Sequence, residues 1–215
     1  MGKITIRVPN KDFFVNEANK SLRTNLGFCG KDKKVITFTS YSPGEGKSTT
    51  VINLALSLTD IHQKVLIIDA DLRKSSLMHK LKAVGIEKGL SHYLSRQARV
   101  EDVIYETNVK NLDMMFSGPF PPNPAELLGS QLFGMTVTSL KEYYDYILID
   151  TPPIGSVIDA AVVAEKSDGA IIVIESGAIS HKLEQESIKQ LEKTGCPILG
   201  VILNKVKNIG KAYYD

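Results

Sequence analysis

Cysteine is scarce in this 215-residue chain: Cys29 and Cys196 are the two that occur. Neither sits in a C-x-x-C pair or at metal-ligand spacing from a histidine. That excludes a disulfide scaffold or a zinc module and leaves two inert thiols of a reducing compartment, a Cys29–Cys196 bridge being the lesser alternative. Long apolar runs are also lacking. None approaches the roughly 18 residues that span a bilayer, and the opening "MGKITIRVPNKDFF" has no signal-peptide core. Gly2 begins a myristoylation pattern, but Ile6 stands where that pattern needs Ser or Thr. A cytoplasmic protein is expected, with any membrane association made through a partner. Excess charge of one sign is missing too: 26 basic against 24 acidic residues give +2, too little to argue for nucleic acid as a partner. The mild clusters Lys31–Lys34 and Lys205–Lys211 read as solvated surface. The four histidines are isolated and read as surface positions.

What is present is an alternation. Apolar residues make up 43% and charged residues 23%, the balance of one soluble domain with a sizeable core. "KVITFTS" (34–40), "KVLIIDA" (64–70), "NLDMMFS" (111–117), "DYILIDT" (145–151), "GAIIVIE" (169–175) and "PILGVILN" (197–204) are near-continuous apolar runs. Such runs predict strands buried on both faces, as in a parallel sheet. Helical patterns lie between them at 47–58, 125–144 and 182–194, with a further helix at 16–26 ahead of the first of these strands. Pro124 suits a first helical turn, with Asn123 as its cap. The fold class expected is α/β: one mostly parallel sheet with helices on both faces.

Three strand ends carry chemistry. "SYSPGEGKSTT" (40–50) matches the end of G-x-x-x-x-G-K-[ST] at Gly46, Lys47 and Ser48, but the opening glycine falls on Tyr41. A strand precedes it and a helix begins at Lys47. Gly44 and Gly46 let successive N–H groups turn toward a ligand, and the helix N-terminus favours an anion. Ser42, Pro43, Gly44, Glu45, Gly46, Lys47, Ser48 and Thr49 are therefore read as a phosphate cradle. Lys47 would reach the β- and γ-phosphates and Ser48 would place its hydroxyl on Mg²⁺. "VLIIDADLRK" (65–74) sets Asp69 at a buried strand end, with Asp71 and Arg73 on the exit loop. "YILIDTPP" (146–153) repeats the logic at Asp150, the usual form of a second Mg²⁺ carboxylate.

These motifs together resemble the bacterial tyrosine kinases of capsule and exopolysaccharide synthesis, whose fold is that of the deviant-Walker, partition-ATPase-like NTPases. "SGPFPPNPAELL" and "EANKSLRTNL" look like further segments of that family, and the match covers nearly the whole chain. The partition ATPases carry a signature lysine early in the loop; Ser42 stands there, which favours the kinase branch. The resemblance implies a single P-loop kinase domain over 1–215 that uses ATP and Mg²⁺ for tyrosine phosphorylation. It implies that Lys47 stabilises the transferred phosphoryl group, that Ser48, Asp69 and Asp150 hold Mg²⁺, and that Asp71 accepts the tyrosine proton. The split between Asp69 and Asp71 stays open. Arg73 would orient the phosphate or the tyrosine. Asn204 would touch adenine, or be a turn residue after a strand.

The same resemblance makes Tyr213 and Tyr214, in a short tail at about 205–215, acceptors phosphorylated in trans. It makes Glu17, Lys20 and Arg23, on an N-terminal helix at about 15–26, a subunit contact of a homo-oligomeric ring, an octamer in the family. A solvated helix face is the other reading of those three. The implied partners are a transmembrane polysaccharide co-polymerase that activates the kinase, protein tyrosine substrates and a cognate phosphatase. The expected place is the cytoplasm, at the inner face of the membrane. The alternative functions are a partition-type ATPase acting as a nucleotide-dependent switch and a scaffold that binds nucleotide for assembly.

Overall fold

The computed structural model describes residues 1–8, 13–177 and 181–206. In chain order the elements are β1 (Gly2–Ile4), α1 (Phe13–Phe28), β2 (Val35–Ser40), α2 (Lys47–Thr59), β3 (Val65–Asp69), α3 (Leu77–Lys80), α4 (Leu90–Leu94), β4 (Ile104–Thr107), β5 (Leu112–Met115), α5 (Pro124–Gly129), α6 (Gln131–Leu140), β6 (Tyr146–Asp150), α7 (Asp159–Ala164), β7 (Gly169–Glu175), α8 (His181–Glu192) and β8 (Ile198–Asn204).

The strands form one sheet in the order β1-β4-β5-β3-β6-β2-β7-β8. Every neighbouring pair is parallel except β4–β5. Along the central strands the apolar side chains alternate between two cores. Ile36, Phe38, Val65, Ile67 and Leu148 join the buried face of α2. Leu66, Ile68, Ile147 and Ile149 join α5, α6 and α7 on the other face. A smaller core under α7 and α8 gathers Ile172, Ile174, Leu191 and Cys196. Strands buried on both sides need no polar alternation, which is why these runs are apolar throughout.

Four expectations are corrected. The single helix expected over 125–144 is two. Ser130 Oγ accepts from Phe133 N–H at 3.3 Å and donates to the Leu127 carbonyl at 2.6 Å, so it closes α5 and restarts the chain as α6. Asn123 makes no capping bond. Lys34 is no solvated charge: its ammonium donates to the carbonyls of Lys141 and Tyr144. Lys205 is likewise engaged, as described below. Strands β1 and β4 were not foreseen; both are short and lack an apolar run. Cys29 and Cys196 are both free thiols, and burial pushes Cys196 up to about 11.

Candidate active site

Strands β2, β3 and β6 are neighbours, and their C-terminal ends bring the three motifs together. This is the crevice of an open α/β sheet where ligands bind. The loop after β2 turns through two left-handed glycines, Gly44 at φ 87° and Gly46 at φ 92°. A Cβ on Gly46 would collide with the amide of Asn204, so this position needs glycine twice over. Gly46 leads directly into α2 and offers no side-chain cap, which leaves the first-turn N–H groups for a ligand.

Tyr41, in place of the usual opening glycine, has an ordinary backbone and packs on Gly155 beyond β6. A Cβ there would lie 2.6 Å from the Tyr41 carbonyl oxygen and 2.8 Å from its ring. Gly155 N–H donates to the Tyr41 carbonyl at 3.2 Å. The small residue that lets Tyr41 pack here is Gly155 on the opposite loop. Glu45, buried, holds the entry by accepting the Ser42 N–H on Oε2 at 3.0 Å.

The cationic and anionic groups face one another. Lys47, the first residue of α2, is buried, and its ammonium donates to Asp150 Oδ1. Asp69, 1% exposed, accepts from Ser75 Oγ on Oδ2 and from Asp71 N–H on Oδ1. Its carboxyl is pushed up to about 7, first by burial and then by the charge of Asp150. Burial beside a second carboxylate disfavours the charged form of Asp69. Lys80, at the end of α3, feels the same cluster: desolvation lowers its pKa, and the Asp150 charge opposes that. The sequence reading had passed it over.

Among the described residues no three His, Cys, Asp or Glu side chains form a metal cage. Mg²⁺ does not need one: it is commonly held by one or two carboxylates with phosphates and water. Asp69 and Asp150 end the neighbouring strands β3 and β6, and Ser48 lies in the uncapped first turn of α2; that donor set fits a Mg-nucleotide.

Asp71 is half-exposed on the exit loop. Its Oδ1 accepts the N–H groups of Arg73 at 3.3 Å and Lys74 at 2.9 Å. Its Oδ2 carries no hydrogen bond among the described residues. One oxygen is thus fixed by backbone and the other stays open, the arrangement of a positioned base.

Arg73 is spent on a partner the sequence did not reveal. Its Nε and Nη2 reach both oxygens of Asp159, at 2.8 and 3.0 Å. Asp159 opens α7 and is fully buried. The fork therefore ties the loop bearing Asp71 to the segment that follows Asp150.

On the other flank, Asn204 donates to the Glu45 carbonyl at 2.9 Å. Lys205, also missed as a site residue, donates to the Gly44 carbonyl at 2.8 Å and to Glu175 at 2.7 Å. The end of β8 thus braces the phosphate loop; the Asn204 side-chain oxygen is left for other contacts.

Of the three α1 charges, Glu17 and Lys20 pair with each other at 2.8 Å on an exposed face. Arg23 turns inward and donates to the Ser57 carbonyl at 2.5 Å, joining α1 to α2. Tyr213 and Tyr214 lie outside the described residues.

Residues 33–196 match a family model described as an AAA domain. The chain is 46% identical over 195 residues to the tyrosine-protein kinase CpsD of Streptococcus agalactiae, an alignment that covers 91% of this chain and 84% of that protein. Among solved structures it resembles the kinase domain of the Escherichia coli tyrosine kinase ETK, at 34% identity and a TM-score of 0.85, covering 93% of this chain and 82% of the other. It also resembles the septum site-determining protein MinD of Pyrococcus horikoshii OT3, complexed with Mg-ADP, at 29% identity and a TM-score of 0.71, covering 81% and 71%.

Proposed function

The chain belongs to the bacterial tyrosine-protein kinases of capsule and exopolysaccharide biosynthesis, and from that premise we propose how its residues divide the phosphoryl transfer. The observation that carries the division is the position of the carboxylates. Asp69 and Asp150 are buried beside Lys47, whereas Asp71 is half-exposed with one oxygen open.

When bound, Mg-ATP supplies the phosphoryl group. The glycine loop and the start of α2 hold its phosphates. Ser48, Asp69 and Asp150 would hold Mg²⁺, directly or through water. Lys47, paired with Asp150 here, would supply its charge to the terminal phosphate, where it counts most as the phosphoryl group transfers. Asp71 takes the phenolic proton, which at an ordinary pKa near 10 needs a positioned base. Arg73 orients the Asp71 loop through Asp159 rather than touching phosphate itself. Asn204 would meet the adenine with its free side-chain oxygen.

The further reading is that Tyr213 and Tyr214 accept phosphate from a second copy, in a ring held partly by the exposed Glu17 and Lys20 of α1. Arg23 contributes indirectly, by seating that helix. A transmembrane co-polymerase brings the domain to the inner face of the membrane, and a phosphatase reverses the modification. The likeness to the tyrosine-protein kinases CpsD and wzc supports this.

The test uses labelled ATP. Mixing a Lys47→Met protein with a Tyr213→Phe/Tyr214→Phe protein should place phosphotyrosine on the former. Phosphotyrosine formed by the wild type but never in the mixture rules out transfer in trans. Free phosphate without any phosphotyrosine favours a switch ATPase.

A further inference from the structure

Beside Asp71 lies a cavity of about 510 Å³. It is bounded by the Asp71 loop, α3, α4 and the loop leaving β5. Phe116 is a buried wall. Its mouth is flanked by two large apolar side chains left in solvent, Met78 at 49% and Phe120 at 65% exposure. The walls approach closely because Gly89 and Gly118 touch: a Cβ on Gly118, at φ 78°, would lie 3.2 Å from Gly89 Cα and 2.6 Å from Ser91 Oγ.

Two of the basic side chains around the cavity are already paired. Arg73 is taken by Asp159, and Lys88 pairs with Asp102 at 3.5 Å. Lys74 has no ion pair among the described residues, and its own N–H sits on Asp71 Oδ1. Glu87 lies at the mouth without an ion pair, and His79 and His92 complete the titratable lining. The cavity thus offers a base with an open oxygen, an apolar lip and one unpaired cation close to that base.

We propose that this cavity is the acceptor subsite, and that it selects a tyrosine with an aromatic residue on one side and an acidic residue on the other. The tyrosine ring enters toward Asp71. The aromatic neighbour covers Met78 and Phe120, removing apolar surface from water. The acidic neighbour meets Lys74. Glu87 limits the preference to a single acid rather than an acidic run. In this chain Tyr214 has that pattern, between Tyr213 and Asp215, so Tyr214 of a second copy is the preferred acceptor over Tyr213. In the transfer the phenolic oxygen bonds the γ-phosphorus, its proton passes to Asp71 Oδ2, and ADP leaves with the electron pair of the broken bond. This inference rests on the kinase reading and adds the class of acceptor.

Three peptides test it with the wild-type protein and Mg-ATP: Gly-Lys-Ala-Phe-Tyr-Asp, the same with Ala for Phe, and the same with Lys for Asp. The first should have the lowest KM, with the Ala peptide roughly tenfold higher, the loss of one aromatic contact. Phe120→Ser should erase the difference between Phe and Ala peptides. Lys74→Glu should reverse the preference between Asp and Lys peptides. Both side chains are exposed, so folding is not at stake, and Mg-ATP affinity is the control. Equal KM values for the three peptides overturn the subsite while leaving the kinase reading intact. So does a Phe120→Ser protein that keeps the wild-type ranking. If the wild type phosphorylates neither peptide nor tail, the kinase reading falls and the subsite with it.

Discussion

The two sides of the Asp69–Asp71 loop are built differently. On the phosphate side, Lys47, Ser48, Asp69 and Asp150 are all buried, and the loop around them is braced by Asn204 and Lys205. On the acceptor side, Lys74, Met78 and Phe120 stand in solvent around an open cavity. Mg-nucleotide is one ligand of fixed shape, and a rigid, desolvated site strengthens every charge that meets it. Protein tyrosines come on varied chains, and an exposed lip adapts to them at little cost in stability. Changes on the phosphate side should therefore strike rate, metal binding and folding together, and changes on the acceptor side should strike KM.

The largest effect is expected at Lys47. Lys47→Met removes a charge-stabilising donor and should lower phosphotyrosine formation by about 10²–10³. It also leaves Asp150 buried without its cation, so the metal-free protein should melt earlier than the wild type. Near-normal autophosphorylation in a folded variant contradicts the assignment.

Next comes the clamp between the two sides. Arg73→Gln strands a fully buried Asp159, the kind of broken pair that costs about 3 kcal/mol. In a chain of this size that is a fall of about 6–12 °C in Tm. Replacing both partners with apolar residues should recover much of the melting temperature but not the turnover, because the Asp71 loop stays untethered. An unchanged melting point for Arg73→Gln speaks against the clamp.

A smaller effect separates the two acids. Asp69 titrates near 7 in the folded protein against an ordinary 3.8. The folded state therefore holds a proton that the unfolded state releases, and metal-free stability falls as pH rises from about 4 to about 7. Asn cannot ionise. With a chelator present, Asp69→Asn should melt at a higher temperature than the wild type at pH 8. At pH 4 it should gain nothing. Melting curves at the two pH values check this, and an equal difference at both defeats it.

The same contrast explains what the sequence disclosed. Strands β2, β3 and β6 were legible because apolar runs that end in Ser or Asp have few other uses. The α/β class followed from their alternation with helices. The kinase family was legible in three motifs read jointly. Asp159 was hidden because its partner lies 86 residues away, and "VIDAAVV" looks like any helix start. Lys205 was hidden in a cluster that resembled solvated surface. Tyr41 looked like a defect in the phosphate loop, because the compensating Gly155 sits on another strand's exit. Strands β1 and β4 gave no periodic signal, being three and four residues long. The cavity proposed for the acceptor could not be read at all: its walls come from four separate segments, and their approach depends on the contact of Gly89 with Gly118.

The central claim is that Asp71 serves the acceptor while Asp150 serves the metal. Calorimetry of Mg-ATP binding on Asp71→Asn and Asp150→Asn, beside the phosphotyrosine rate of each, tests it most directly. The expected result is near-normal Mg-ATP affinity for Asp71→Asn with turnover lowered by about 10²–10⁴, and weakened Mg²⁺-dependent affinity for Asp150→Asn. Lost affinity in Asp71→Asn together with retained affinity in Asp150→Asn would contradict it.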